Sequence, residues 1–151
     1  MAPLNIPLVY RALFLYYEPF VTFVNSGIVH FSPAQFLNTV PSTAKYAPDN
    51  KVIYDQLAAT YFLIAFNNAV VLRVTDDIHV WRAMRIGILI CDVLHPYGSQ
   101  IALGSSIFWD PRSWRREDLV NMCSLCGPAT IRFAFLAGFW HQLYENSKKH
   151  D

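Results

Sequence analysis

The amino-acid sequence predicts an integral membrane protein whose single domain is an all-α bundle of four transmembrane helices. Three observations lead to this fold class: the chain is rich in hydrophobic residues, it is poor in charged residues, and its apolar residues fall in four blocks. Hydrophobic residues make up 54% of the 151 residues and charged residues only 15%, whereas soluble proteins carry about 25% charged residues. So many apolar side chains need surroundings other than water.

Each apolar block has the length of a membrane crossing. The four predicted spans are residues 8–31, 52–74, 80–103 and 119–143. A helix rises about 1.5 Å per residue, so about 20 residues cross the hydrocarbon of a bilayer. A soluble four-helix protein would instead carry a charged stripe on every helix. The alternative is an all-α domain buried within a larger complex.

The segments between the blocks predict how the protein lies in its membrane. The third loop contains Trp109, Trp114 and several arginines, a composition that anchors a protein at the lipid headgroups. Lysine and arginine residues are almost evenly divided between the two membrane faces. Their slight excess on the face that holds the two termini favours cytoplasmic termini. No signal-peptide pattern precedes the first block, so we expect it to be retained as a helix. We expect a multi-pass protein of the endoplasmic reticulum or another endomembrane.

Composition and motifs exclude several functional classes. The net charge is only +1, and no basic tract with interleaved aromatic residues points to nucleic acid. Histidines and cysteines do not have the spacing of metal ligands, and the sequence has neither a glycine-rich phosphate loop nor a GxSxG nucleophile motif. We therefore predict no metal site, and no cofactor is evident.

The first block contains ionisable residues that a membrane helix rarely tolerates. Arg11, Glu18 and Asn25 are seven residues apart, which places them on one helix face, and we expect that face to point into the bundle. Pro19 follows Glu18 and lacks an N–H, so it frees a backbone carbonyl one turn earlier. Glu18 is predicted either as a catalytic carboxylate or as the partner of an arginine in a structural ion pair.

The third block contains the strongest candidate for acid–base chemistry. Asp92 and His95 lie three residues apart, and Arg85 precedes Asp92 by seven, so all three are expected on one face. An aspartate and a histidine one turn apart in apolar surroundings can hold a proton between them. We predict both as catalytic residues; the alternative is a buried ion pair that fixes the helix register.

The fourth block places Arg132 near the middle of the membrane. An unpaired arginine there would be costly, so Glu18 or Asp92 should be its partner, and the sequence does not decide between them. Other polar and aromatic residues of the spans are candidates to bind a substrate. The predicted binding residues are Arg132, Arg85, Arg11, Asn67, Tyr61 and Tyr97.

A pair of cysteines offers a different chemistry. Cys123 and Cys126 form a CxxC motif near the start of the fourth block, an arrangement that resembles the vitamin K epoxide reductases. Those enzymes also use a second cysteine pair in a loop, whereas this sequence has only Cys91, inside a span. A thiol redox protein is therefore an alternative function.

Several motifs resemble a fungal family of small four-span membrane proteins. They are the run from Leu8 to Phe20, the pair Leu72-Arg73 leading to Asp76-Asp77 and Val80-Trp81-Arg82, the segment Asp92–His95, and the pair Ile131-Arg132. The most specific elements are Arg-x6-Glu-Pro and Asp-x2-His. Members of this family are associated with gene clusters for polyketides and hybrid polyketide–peptides, and some are described as epoxidases.

The resemblance implies an enzyme, or an enzyme subunit, that acts on a lipophilic polyketide-type intermediate by epoxide chemistry. Olefin epoxidation needs an oxygen-activating cofactor, and the sequence shows no site for one, so a partner protein would bring the oxidant. Epoxide opening needs only an acid, a base and a dry pocket, which Asp92, His95 and Glu18 would supply. The alternative is a non-catalytic membrane subunit. Expected partners are the lipophilic substrate, membrane lipids and other membrane enzymes of the pathway.

Overall fold

A computed structural model describes residues 6–40 and 45–139, which form helices and turns with no strand among them. This confirms the predicted all-α class. The six helices are α1 (Leu8–Phe31), α2 (Pro33–Leu37), α3 (Lys51–Ala69), α4 (Ile78–Leu103), α5 (Ser105–Phe108) and α6 (Arg116–Leu136). Short 3₁₀ turns occupy Pro48–Asn50, Val71–Arg73 and Pro111–Ser113.

The four long helices lie where the apolar blocks predicted them. The first coincides with the predicted span 8–31. The second ends earlier than predicted, because α3 stops at Ala69 and the chain then passes through a 3₁₀ turn. The last begins at Arg116 rather than residue 119. Residues 140–143, the end of the predicted fourth span, lie outside the described residues.

Three of these helices, α1, α4 and α6, are long and apolar enough to cross a membrane. Their apolar side chains mostly face outward: in the most apolar stretch of α4 only 6% of the residues are buried inside the protein. Ile90, Leu94 and Ile101 of α4, for example, are each more than half exposed. An apolar surface of this extent is suited to lipid rather than water. The structure therefore supports a membrane protein with three candidate membrane-spanning helices.

The long helices pack in two pairs, α1 with α3 and α4 with α6. The α1–α3 contact is close because α3 presents the buried small residues Ala58 and Ala65, and small side chains let two helix backbones approach. The hydroxyl of Ser26 in α1 donates a hydrogen bond to the carbonyl oxygen of Ala58 at 2.8 Å. This contact joins the two helices across their interface.

An aromatic cluster joins one helix pair to the other. Phe14 of α1 is fully buried, with its ring centre 5.9 Å from Tyr10 and 5.4 Å from Phe135 of α6. The Trp81 ring of α4 lies 6.4 Å from Phe135, and Leu72 completes the cluster. Tilted and edge-to-face ring pairs at these distances are favourable, so the cluster holds the two pairs together near one end.

Helix α1 widens into a π-helical turn at Leu13–Tyr17, immediately before Glu18. Because Pro19 has no N–H, the carbonyl of Leu15 loses its ordinary helical donor. Arg73, in the turn after α3, replaces that donor: its Nη2 lies 2.6 Å from the Leu15 oxygen. Its guanidinium also lies 4.8 Å from the Tyr16 ring centre. The prediction that Pro19 frees a carbonyl is confirmed, and the structure shows which group binds it.

Substitution of Phe14 by alanine should destabilise the protein. Loss of a buried phenylalanine costs about 3 kcal/mol in a packed core, which corresponds to a fall of roughly 10 °C in melting temperature. Thermal unfolding of the purified protein in detergent measures the effect. Phe20→Ala is the matched control, because Phe20 lies in the same helix but is 68% exposed. Equal melting temperatures for both variants would contradict the role of the aromatic cluster.

Candidate functional site

Five polar side chains form a network at the centre of the protein. All four long helices contribute to it. Its members are Glu18 of α1, Asn68 of α3, Arg85 and Asp92 of α4, and Arg132 of α6. Four of the five are buried and Asp92 is partly buried. Charged groups at this depth in an apolar protein are rare and mark candidate functional sites.

Glu18 connects the members of this central network. Arg85 Nη1 donates to Glu18 Oε2 at 2.7 Å, and Asn68 Nδ2 lies 3.4 Å from the same oxygen. Arg132 Nη2 lies 2.9 Å from the other oxygen, Oε1. One carboxylate therefore joins two arginines that belong to different helices, and it ties α1 to α3, α4 and α6 at once.

Arg85 is the most deeply buried member, with no solvent exposure. Its Nη2 donates to the side-chain oxygen of Asn68. Its guanidinium carbon lies 4.5 Å from the ring centre of Phe14, within the range of a cation–π contact. The aromatic cluster thus forms one wall of the network, and the two features share Phe14.

The prediction that Arg132 pairs with a carboxylate is confirmed. The structure pairs it with both candidates, Glu18 and Asp92. Arg132 Nη1 donates to Asp92 while Nη2 pairs with Glu18. Two arginines and two acidic residues balance in formal charge. This balance explains how four charged groups are accommodated together, because a buried charge is tolerated when it is paired and hydrogen-bonded.

Three buried atoms of the network have no aligned hydrogen-bond partner among the described residues. They are Nε of Arg85, Nε of Arg132 and Oε1 of Glu18; the contact of Oε1 with Arg132 is an ion pair without hydrogen-bond alignment. Buried polar groups in native proteins are usually satisfied. The two arginines of the network therefore each keep one N–H group that the described residues leave unused.

The predicted contact between Asp92 and His95 is wrong. His95 is exposed, and its Nδ1 lies 2.8 Å from the carbonyl oxygen of Cys91, one turn earlier. The Asp92 carboxylate turns instead to Arg132. A full positive charge from another helix is a stronger partner than a neighbouring imidazole. The catalytic roles of Asp92, His95 and Glu18 stay predictions, but the structure does not join the first two.

The predicted inward stripe of α1 is also wrong for Arg11, which is exposed. The π-helical turn accommodates one extra residue between Arg11 and Glu18 and so shifts the helix faces relative to each other. Tyr10 and Phe14 consequently share the buried side with Glu18. The heptad spacing assumed a regular α-helix, and the π-helical turn breaks it.

In α3 the network uses Asn68 and not the predicted Asn67. Asn68 is 1% exposed and bonds to both Glu18 and Arg85, whereas Asn67 is half-buried. The sequence carried a signal for this: Ala58, Ala65 and Asn68 follow a spacing of seven and three residues, which is one helix face. Small residues mark that face as the side packed against α1.

The two tyrosines predicted to bind a substrate lie away from the network. Tyr61 is half-buried, with its ring 6.3 Å from Phe36, and Tyr97 is 60% exposed.

The three cysteines are free thiols. Cys91 is half-buried, and the two cysteines of the CxxC motif are exposed on α6. Within residues 6–40 and 45–139, no three His, Cys, Asp or Glu side chains form a group suited to a metal ion.

The chain belongs to a family described as a domain of unknown function (DUF7704), whose family model matches residues 4–142. No curated protein and no solved structure matches the chain. The family match covers every helix described above.

Substitution of Asn68 by alanine should destabilise the protein more than the same change at Asn67. Asn68→Ala removes the acceptor of a buried guanidinium, and an unsatisfied group of this kind costs about 1–3 kcal/mol. We expect a fall of several degrees in melting temperature in detergent, with Asn67→Ala close to wild type. A larger loss for Asn67→Ala would contradict the assignment of the network residue.

Proposed function

We propose that this member of the DUF7704 family is a four-span membrane enzyme, or enzyme subunit, of fungal secondary metabolism that opens epoxides in lipophilic polyketide-type intermediates. One observation carries the proposal: a charge-balanced polar network in an otherwise apolar helical protein keeps unused hydrogen-bonding capacity on two arginines. The sequence resemblance described above supplies the substrate class.

The four-span topology in this proposal includes α3 as a crossing helix. Arg115, which precedes α6, donates to the carbonyl oxygen of Val40, which follows α2, at 2.9 Å. The loops before α3 and before α6 therefore meet on one side of the protein. Helix α4 leads to that side and begins on the other, and this arrangement supports α3 as the helix that passes between the two sides. Two buried residues of α3 face α1 rather than lipid: Asn68, which bonds to Glu18, and Ala58, whose backbone oxygen accepts from Ser26.

The network offers the charges that epoxide opening requires. As the carbon–oxygen bond of the epoxide breaks, negative charge develops on the oxygen, and guanidinium N–H groups stabilise such charge in a dry site. Arg132 would bind that oxygen. Asp92 would accept the proton of the attacking hydroxyl or water as the new carbon–oxygen bond forms. The alkoxide then takes from Asp92 the proton that Asp92 accepted, which leaves the product neutral and the carboxylate ready for another reaction.

Glu18 has a supporting role in this mechanism. It pairs with both arginines and so fixes the position of Arg132 while Asp92 takes part in proton transfer. Phe14 beside Arg85 keeps water from the centre. A low-polarity wall strengthens every charge interaction within the site.

The second candidate is a non-catalytic subunit that assembles other membrane enzymes. The observation in its favour is that both carboxylates already have arginine partners, so the charges of the network are paired without a ligand, as in a structural ion-pair network. A non-catalytic role predicts that Asp92→Asn, which keeps the shape of the side chain, leaves product formation unchanged as long as the protein remains folded.

The topology can be tested with single cysteines in a chain whose three native cysteines are replaced by serine. Asp49→Cys precedes α3 and Asp76→Cys follows it; both positions are exposed. If α3 crosses the membrane, a membrane-impermeant maleimide labels only one of the two in sealed vesicles, and the other after permeabilisation. Labelling of both positions from the same side would show that α3 does not cross.

The reaction can be tested by metabolite profiling of a producing host from which the gene is deleted. Wild type should restore the product, whereas Asp92→Asn should leave an epoxide intermediate and reduce product at least about a hundredfold, as loss of a general base does. The variant should still reach the membrane, because Arg132 keeps Glu18 as a partner. Asp49→Asn, which changes an exposed aspartate before α3, is the control. Full rescue by Asp92→Asn would favour the assembly function, and deletion without any change in metabolites would refute both.

A further inference from the structure

A second polar cluster lies at the opposite end of the α1–α3 pair from the aromatic cluster. It consists of His30 near the end of α1, and Lys51 and Asp55 in the first turns of α3. His30 Nδ1 lies 2.9 Å from Asp55 Oδ1, and Lys51 Nζ lies 2.6 Å from the same oxygen. His30 follows Glu18 by twelve residues, about 18 Å along the helix, so this boundary cluster is separate from the central network.

The boundary cluster lies at one end of an apolar groove between α1 and α3. The groove has a volume of about 490 Å³. Its walls are mainly aromatic rings and small side chains, including Phe23, Gly27, Ala59 and Phe62. The two phenylalanine rings lie 6.1 Å apart. A groove lined in this way suits a hydrocarbon chain, and Asp55, a charged residue of its lining, lies beside His30 at one end.

The hydrogen bonds of the cluster determine what its open side offers to a ligand. A carboxylate only accepts hydrogen bonds, so the Nδ1 atom of His30 donates to Asp55. An uncharged imidazole held in this way presents Nε2 as an acceptor. The charges of Lys51 and Asp55 cancel each other. The polar end of the groove therefore offers one hydrogen-bond acceptor without a net charge.

We propose that this groove binds a single-chain molecule from the bilayer whose head is an uncharged hydroxyl group. The hydroxyl donates to Nε2 of His30, and the hydrocarbon chain lies along Phe23 and Phe62. The absence of net charge selects this head. Lys51 and Asp55 are already paired with each other, so a carboxylate or an ammonium would lose its hydration without gaining an unpaired opposite charge. The site is additional to the central network and does not depend on the reaction proposed there.

The position of the groove fits a ligand that enters from the membrane. The cluster lies where α1 ends at Phe31 and α3 begins at Lys51, so the hydroxyl head is near the lipid headgroups. The groove continues from there toward the middle of both helices. A chain in the groove therefore has the same direction as the lipid chains around it, and binding does not require the head to leave the boundary.

The test uses purified full-length protein in lipid nanodiscs and hexadecanol that carries a photoreactive diazirine in its chain. Irradiation followed by mass spectrometry should find the label on groove residues of α1 and α3. Unlabelled hexadecanol should compete roughly tenfold better than hexadecanoate or hexadecylamine, the effect of one hydrogen bond or its loss. Equal competition by all three compounds, or labelling elsewhere on the protein, would overturn the proposal.

Two variants separate the groove from its polar end. His30→Ala should keep the site of labelling but remove the preference for the alcohol. Gly27→Leu should abolish labelling, because the new side chain fills the groove. A Cβ atom at Gly27 meets no other atom within 4 Å, so the helix backbone has room for a side chain at this position. Gly87→Leu in α4 is the matched control with equally open space. Labelling of Gly27→Leu at the wild-type level would refute the site even if the epoxide reaction proves correct.

Discussion

The structure depends on the carboxylate of Glu18, which joins two arginines from two different helices. Arg85 and Arg132 are both buried. Without Glu18, Arg85 would lose its ion-pair partner and become a costly buried charge, while Arg132 would keep only Asp92. Through Glu18 and Asn68 the pair α1–α3 is connected to α4 and α6. In lipid, helices gain little from burying apolar surface against each other, so polar contacts and close packing have to hold them together.

The backbone around Pro19 places Glu18 in that position. The π-helical turn brings Tyr10 and Phe14 to the same side of α1 as Glu18, so aromatic packing and charge pairing act at neighbouring levels of one interface. Pro19 leaves the Leu15 carbonyl without its helical donor, and Arg73 supplies a replacement. A residue outside the helix therefore satisfies the freed backbone group, as commonly happens in membrane helices that contain proline.

The chain carries two polar features at different depths, and they suit different tasks. The central network is buried, charge-balanced and shared by four helices, which suits either a reaction that develops charge or a rigid junction. The cluster of His30, Lys51 and Asp55 is about half exposed and adjoins an apolar groove, which suits recognition of an amphipathic molecule. Since the two lie on opposite halves of α1, each can be altered without the other.

The sequence by itself determined the helical class, the positions of the long helices and the pairing of Arg132 with a carboxylate. These follow from the length needed to cross a bilayer and from the cost of an unpaired charge inside it, which depend on composition along one helix. Only the tertiary structure decided that Asn68 joins the network, that Arg11 faces outward and that His95 turns away from Asp92. There are two physical reasons. A π-helical turn shifts the faces of α1 relative to each other, and Asp92 pairs with Arg132 of another helix because a full positive charge binds a carboxylate more strongly than a neighbouring imidazole does.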